Sequence, residues 1–271
     1  VALSPAQRAS YIADRSSKIP FLTAPRHLAG PGDPRHVTHA LLAAGWNVTS
    51  APGDPRTVLT GPAQARHQLI LDPLSTSYWQ IESADWSWCA SFGRMVPAEI
   101  VAGFTDHLIA GTPRSGIGPW RQMEKAGWSV EQRPDGTREA RSPAPHQIRA
   151  ELAKVYEENP EQTVWRIEAL PEYGGAPAWR MWISGAIPEH LLDGLAEQLV
   201  TTAPVVRGMY DLESHGARQE PSGLTPEQAV EAHFARVDAV GRRARAHRRT
   251  RPAVSLPAPT VPSAPASVSL R

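Results

Sequence analysis

Apolar positions along the chain switch between helical and strand spacing twice, in the same order. Each pass opens with a short helix-spaced stretch, His36–Ala44 or Trp120–Ala126. Each stretch ends at a glycine, Gly45 or Gly127, where a helix C-cap glycine belongs. Alternation then predicts strands, first at Trp46/Val48 and Trp128/Val130. PGDPR at 52–56 and RPDG at 133–136 read as turns. The same PGDPR letters at 31–35 read as a further turn, not as a third repeat. In the first pass, strands are predicted at Thr57–Thr60, His67–Leu71, Tyr78–Ser83 and Ser87–Phe92. In the second they are predicted at Val164–Ala169 and Trp179–Ser184, and 137–163 has no readable period. Pro97 and Pro188 fit a first helical turn, where a missing N–H costs nothing. Ile100, Val101, Phe104 and Leu108 form one helical stripe behind them, and Leu191, Leu195 and Leu199 the other.

The two passes match residue by residue. Ala44-Gly45-Trp46 returns as Ala126-Gly127-Trp128, 82 positions on. WQIES at 79–83 returns as WRIEA, 86 on, and Trp88, Phe92, Val96 and Pro97 return as Trp179, Ile183, Ile187 and Pro188, 91 on. Matched blocks in one order with a drifting offset are the pattern of a duplicated unit with longer connections in its second copy. The extra residues fall around 145–159 and at Pro171–Gly175. The expected fold is α+β: two tandem repeats, each an antiparallel meander of four or five strands with a closing helix on one face. Repeat one spans 31–112 and repeat two 113–203, after an N-terminal arm at 1–30 whose first 20 residues look weak in structure.

Beyond 204 the pattern changes. Thr225-Pro226-Glu227-Gln228 is a helix start with Thr as N-cap, Pro at N1 and Gln at N3. Val230, Phe234, Val237 and Val240 then trace one helical face. The region 204–251 reads as a linker plus a basic amphipathic helix, and the Pro/Ser/Ala-rich stretch 252–271 as a disordered tail.

Composition narrows the function class. In 271 residues, 41% hydrophobic content supports a packed core, and one cysteine, Cys89, excludes an intrachain disulfide framework. No apolar run approaches a bilayer span, so the reading is a soluble, cytoplasmic protein without a membrane partner. The net charge of +1 divides unevenly. Residues 1–30 carry +3, each repeat −3, and residues 204–271 +4. A basic footprint sits in a terminal arm, and not on the repeats.

The pattern GW…W-x-I-E…W-x3-F/I-x3-V/I-P, present twice, resembles the SPDY domain, an actinobacterial family of unknown function often found in tandem pairs. The resemblance implies an architecture and a bacterial host, and neither an assigned activity nor site residues. Three lysines against 25 arginines fit a GC-rich genome. A duplicated meander with a helix is also similar in outline to the PUR and Whirly single-stranded nucleic-acid binders, a likeness of topology alone.

Residues i and i+2 of a strand share a face, so Trp79 with Ile81, Trp165 with Ile167, and Trp86, Trp88, Ala90 and Phe92 are expected beneath the closing helices. Trp182 is the exception. If Trp179, Met181 and Ile183 take the core face, Trp182 points outward beside Arg180 and Ser184, with Arg166 near. An aromatic face flanked by cations suits base stacking, although burial between the repeats, or under 145–159, would also account for Trp182. In repeat one the same surface is small and polar: Gln80, Glu82, Ser87, Cys89 and Ser91. Arg242, Arg243, Arg245, Arg248, Arg249 and Arg251 form a run without an acid, able to hold phosphates or to end a helix in solvent. His36-x-x-His39 with His27 is a weak metal pattern that lacks a neighbouring cysteine, so no metal, cofactor or catalytic site is expected. Two functions stand open on these grounds. One is a non-enzymatic nucleic-acid binder, single strands favoured, in which paired sheets form a groove. The other is a protein-interaction module built on acidic domains.

Overall fold

The computed structural model describes residues 3–62, 67–111, 116–143, 147–156, 159–172 and 174–250. The chain begins with α1 (Pro5–Arg15), β1 (Pro20–Ala24) and a 3-10 turn at Arg26–Leu28. Repeat one is α2 (Arg35–Ala43), β2 (Asn47–Val48), β3 (Thr57–Thr60), β4 (Gln68–Leu71), β5 (Trp79–Glu82), β6 (Trp88–Phe92) and α3 (Ala98–Ala110). Repeat two follows the same order: α4 (Pro119–Lys125), β7 (Ser129–Gln132), β8 (Arg138–Arg141), β9 (Ile148–Tyr156), β10 (Asn159–Ala169), β11 (Trp179–Gly185) and α5 (Glu189–Val200). Then come β12 (Val205–Gly208), β13 (Arg218–Pro221) and α6 (Pro226–Thr250). The fold is α+β with antiparallel sheets. Among the described residues no helix is long and apolar enough to cross a membrane.

Both repeats turn from helix to sheet through the same motif. Gly45 and Gly127 take φ of 92° and 82°. Trp46 N–H then donates to Leu41 O, and Trp128 N–H to Met123 O, each at 3.0 Å. This is the Schellman closure, and the indole that follows the glycine is buried in both copies. Trp79 pairs with Leu71 and Phe92. Trp165 pairs with the equivalent Leu152 and Ile183. The unread stretch 137–163 holds β8, β9 and the start of β10. Of the extra residues around 145–159, those described belong mainly to β9 and β10, which are longer than their counterparts β4 and β5.

The meanders do not face each other across a groove, as the paired-sheet reading expected. β6 pairs with β11, and the ten strands form one sheet in the order β2-β3-β4-β5-β6-β11-β10-β9-β8-β7. Ser91 lies opposite Trp182 across this seam. The two are counterparts at the offset of 91. Gly103 and Gly194, another pair at that offset, meet where α3 crosses α5. A Cβ on Gly103 would stand 2.4 Å from Gly194 O, and one on Gly194 2.5 Å from Gly103 O. An approximate two-fold axis through seam and crossing relates the repeats, as in an isologous dimer. One core fills the space under the helices, with Trp79, Phe92, Trp165 and Trp179 from the sheet and Phe104 and Leu195 from the helices.

Trp86 departs from its expected place. It takes φ of 58° in the β5–β6 hairpin and is 74% exposed, because the turn reverses the chain before the alternation of β6 begins. Pro97 and Pro188 are the N-caps of α3 and α5, one position before the first turn. The N-terminal arm is ordered structure: Ser4 and Gln7 close a capping box on α1. β1 lies between β12 and β13 in a second sheet, so part of the presumed linker after 204 ties the two ends of the chain together. Arg251 and the stretch 252–271 lie outside the described residues.

Candidate functional site

Strand alternation brings Arg166, Arg180, Trp182 and Ser184 to the sheet face away from the helices, next to Cys89, Ser91, Gln80 and Glu82 across the seam. Trp182 is 40% exposed, whereas Trp179, Met181 and Ile183 on the opposite face are buried. The flanking cations are occupied. Arg180 Nε donates to Glu168 Oε1 at 2.9 Å, and Arg149 holds the other oxygen of the same buried carboxylate. Arg166 lies 4.0 Å from Glu151. Arg133 and Arg141 share Glu139. The face is a lattice of paired charges with one tryptophan at its centre, and not a cationic clamp. Cys89 is exposed, its Sγ 3.1 Å from Ser184 Oγ.

The basic run is the last two turns of α6. Thr225 and Gln228 start this helix with the expected capping box. Arg242, Arg243, Arg245, Arg248 and Arg249 are all exposed. Arg248 is used within the fold: its Nη1 donates to Ala44 O at 2.5 Å and caps the C-terminus of α2. Arg243 lies toward Asp106, on which its charge acts. Arg242, Arg245 and Arg249, spaced i, i+3 and i+7, share one face. None of the three has a hydrogen-bond or ion-pair partner among the described residues.

A third region was legible in the sequence only in part. His36 and His39 of α2 meet α6, where His39 Nδ1 is 3.1 Å from His233 Nε2. Tyr11 stacks on His233 at 3.9 Å between ring centroids. Burial pushes His36 and His39 down to about 4, with Arg236 and Arg35 adding repulsion. Burial and the neighbouring His39 push His233 to about 3. All three rings are neutral at pH 7. Among the described residues no group of three or more His, Cys, Asp or Glu side chains could hold a metal. Beside this cluster, α1, β12, α6 and the starts of α2 and α3 enclose a cavity of about 300 Å³. Arg207 of β12 forms part of its wall, 3% exposed, and grips Glu99 of α3 through both Nη atoms at 2.7 and 2.8 Å. That pair holds the Glu99 carboxyl at about 2 against the opposing effect of burial. In the sequence this region shows as His36-x-x-His39 and as Ser4-Pro5-Ala6-Gln7, the same helix start as Thr225–Gln228; the latter marks α1, which supplies the cavity's Tyr11 and Arg15.

No curated protein and no solved structure matches the chain. One family does, over residues 63–114 and 134–205, which take in β4 to α3 of repeat one and β8 to α5 of repeat two. The matched segments hold the strands and helices that meet at the two-fold axis, while most of the cavity wall and all of α6 lie outside them. The chain carries the SPDY domain, a domain of unknown function (DUF317), twice in tandem.

Proposed function

We propose that the protein binds nucleic acid without catalysing a reaction, holding phosphates through the basic end of α6. The observation that carries this reading is the row Arg242, Arg245 and Arg249, exposed on one helical face and unpaired among the described residues. Unpaired arginines in solvent gain from phosphate contact by counterion release, whereas Arg166 and Arg180 would first have to leave Glu151 and Glu168. The sheet then contributes through Trp182, whose exposed ring suits a stacked base and favours single strands. A cytoplasmic setting in an actinobacterial cell belongs to the same reading, in keeping with an arginine-rich, lysine-poor composition.

Fluorescence-anisotropy titration with single- and double-stranded oligonucleotides at two salt concentrations tests it. The triple variant Arg242→Ala/Arg245→Ala/Arg249→Ala is expected to lose most of the affinity and to lower the salt slope by about 2 to 3. Trp182→Ala is expected to weaken single strands selectively. Wild-type protein that binds neither oligonucleotide at low salt would end the proposal. The second reading is a protein-docking surface on the open sheet face. It is favoured by the charge balance of that face around one exposed indole, the composition of an interface more than of a phosphate track.

A further inference from the structure

The cavity beside the histidines has a charge ledger that does not close. Its lining cations are Arg15, Lys18, Arg26, Arg207 and Arg236. Arg15 has Asp33 at 2.6 Å, Lys18 has Asp211 at 2.8 Å, Arg207 has Glu99 at 2.7 Å and Arg236 has Asp106 at 2.8 Å. Arg26 has no carboxylate within ion-pair distance among the described residues. One of its nitrogens, Nη2, donates to the neutral Gln198 Oε1 at 2.7 Å, and its buried Nε has no hydrogen-bond partner. The acid that acts on Arg26 is Glu99, already held at both oxygens by Arg207, so two guanidinium groups share one carboxylate. Burial, with Arg207 adding repulsion, accordingly pulls Arg26 below its ordinary value. The neighbouring His36 and His233 add no charge at pH 7. A partly desolvated cation left one negative charge short is costly for the fold and favourable for an anion that reaches it.

Part of the lining is apolar, made by Val205, Val206, Leu224 and Val230. A volume of about 300 Å³ is at the lower end of those that take small organic ligands. We infer that this cavity is a binding site for a small organic monocarboxylate, its carboxylate on Arg26 and its apolar body against β12 and α6. One uncompensated cation calls for one negative charge. A phosphate dianion would set its second charge against Asp33, Glu99 and Asp211, which also line the space. The inference is independent of nucleic-acid binding, since no residue of the α6 arginine row lines the cavity.

The test uses the full chain with hexanoate and benzoate, their neutral counterparts hexanamide and benzamide, and inorganic phosphate. Saturable thermal stabilisation is expected with at least one carboxylate, at least tenfold weaker with its amide, and absent with phosphate. Arg26→Gln is expected to weaken the carboxylate tenfold or more, and Val230→Trp, which fills the apolar end and leaves Arg26 in place, to abolish binding. Should either variant fail to fold by circular dichroism, amide chemical-shift mapping on the wild type decides, with perturbations expected at Val206, Gly208 and Ala229. No saturable response to either acid, amides equal to acids, phosphate equal to both, or shifts confined to another surface would each overturn the assignment.

Discussion

The two repeats are alike in the core they share and unlike on their outer faces. Under the helices, Trp79 and Trp165 hold equivalent registers, and the two Schellman turns are closed by the same bonds. On their outer sides the copies part. α2 buries His39, Ala40 and Ala43 because α6 covers its far side, while at the corresponding place α4 exposes Arg121, Glu124 and Lys125. The open sheet face is small and polar in repeat one and a lattice of ion pairs in repeat two. On the axis itself Ser91 faces Trp182. Packing constrains a side chain from every direction, so the shared core kept its apolar character, as Ala90/Met181 and Phe92/Ile183 show. Solvent-facing positions carry no such restraint, and there the two copies differ.

Three measurements break or sharpen this comparison. The largest effect is expected from truncating the matched indoles. Trp79→Ala and Trp165→Ala should each cost about 3 to 5 kcal/mol by urea denaturation. Losses differing by more than a factor of two would argue against equivalent packing. Next, Gly103→Val and Gly194→Val place a branched Cβ against the partner glycine's carbonyl oxygen and should cost about 2 kcal/mol each. Because Gly103 also faces Gln198 and Gly194 faces the equivalent His107, the two losses should be similar and the double variant less than additive.

The third measurement separates the copies, since the buried histidines lie on one side only. His36, His39 and His233 have native values well below the ordinary 6.5, so the unfolded chain binds more protons between about pH 6.5 and pH 4. Stability is retained above pH 6.5 and falls as the pH drops through that window, by about 1.4 kcal/mol per pH unit for each proton taken up on unfolding. His39→Leu/His233→Phe should flatten the slope. Hydrogen exchange at pH 5 should loosen α2 and α6 before α4; simultaneous loosening would place the acid sensitivity elsewhere.

Much of this was written locally. Gly45 and Gly127 announce their turns because few other residues accept the backbone they need. Strand β3 and the closing helices follow from alternation and from i, i+4 stripes. Ser4–Gln7 carries the same capping-box letters as Thr225–Gln228. Trp86 was misplaced because alternation counts residues and is blind to where a hairpin reverses. For Arg166 and Arg180 the sequence shows the charge, but their partners lie one strand away, at Glu151 and Glu168, and strand order is needed to find them.

The chain's own letters established that one unit occurs twice, what its elements are, and which face of each is apolar, since these depend on near-neighbour spacing and side-chain chemistry. The joining of two sheets into one at β6 and β11, the return of β12 and β13 to β1, and the convergence of Arg26, Arg207 and Glu99 on one cavity were decided by tertiary contacts. Those contacts link residues as much as about 200 positions apart, a range over which periodicity carries no phase and only burial and charge pairing select the partner.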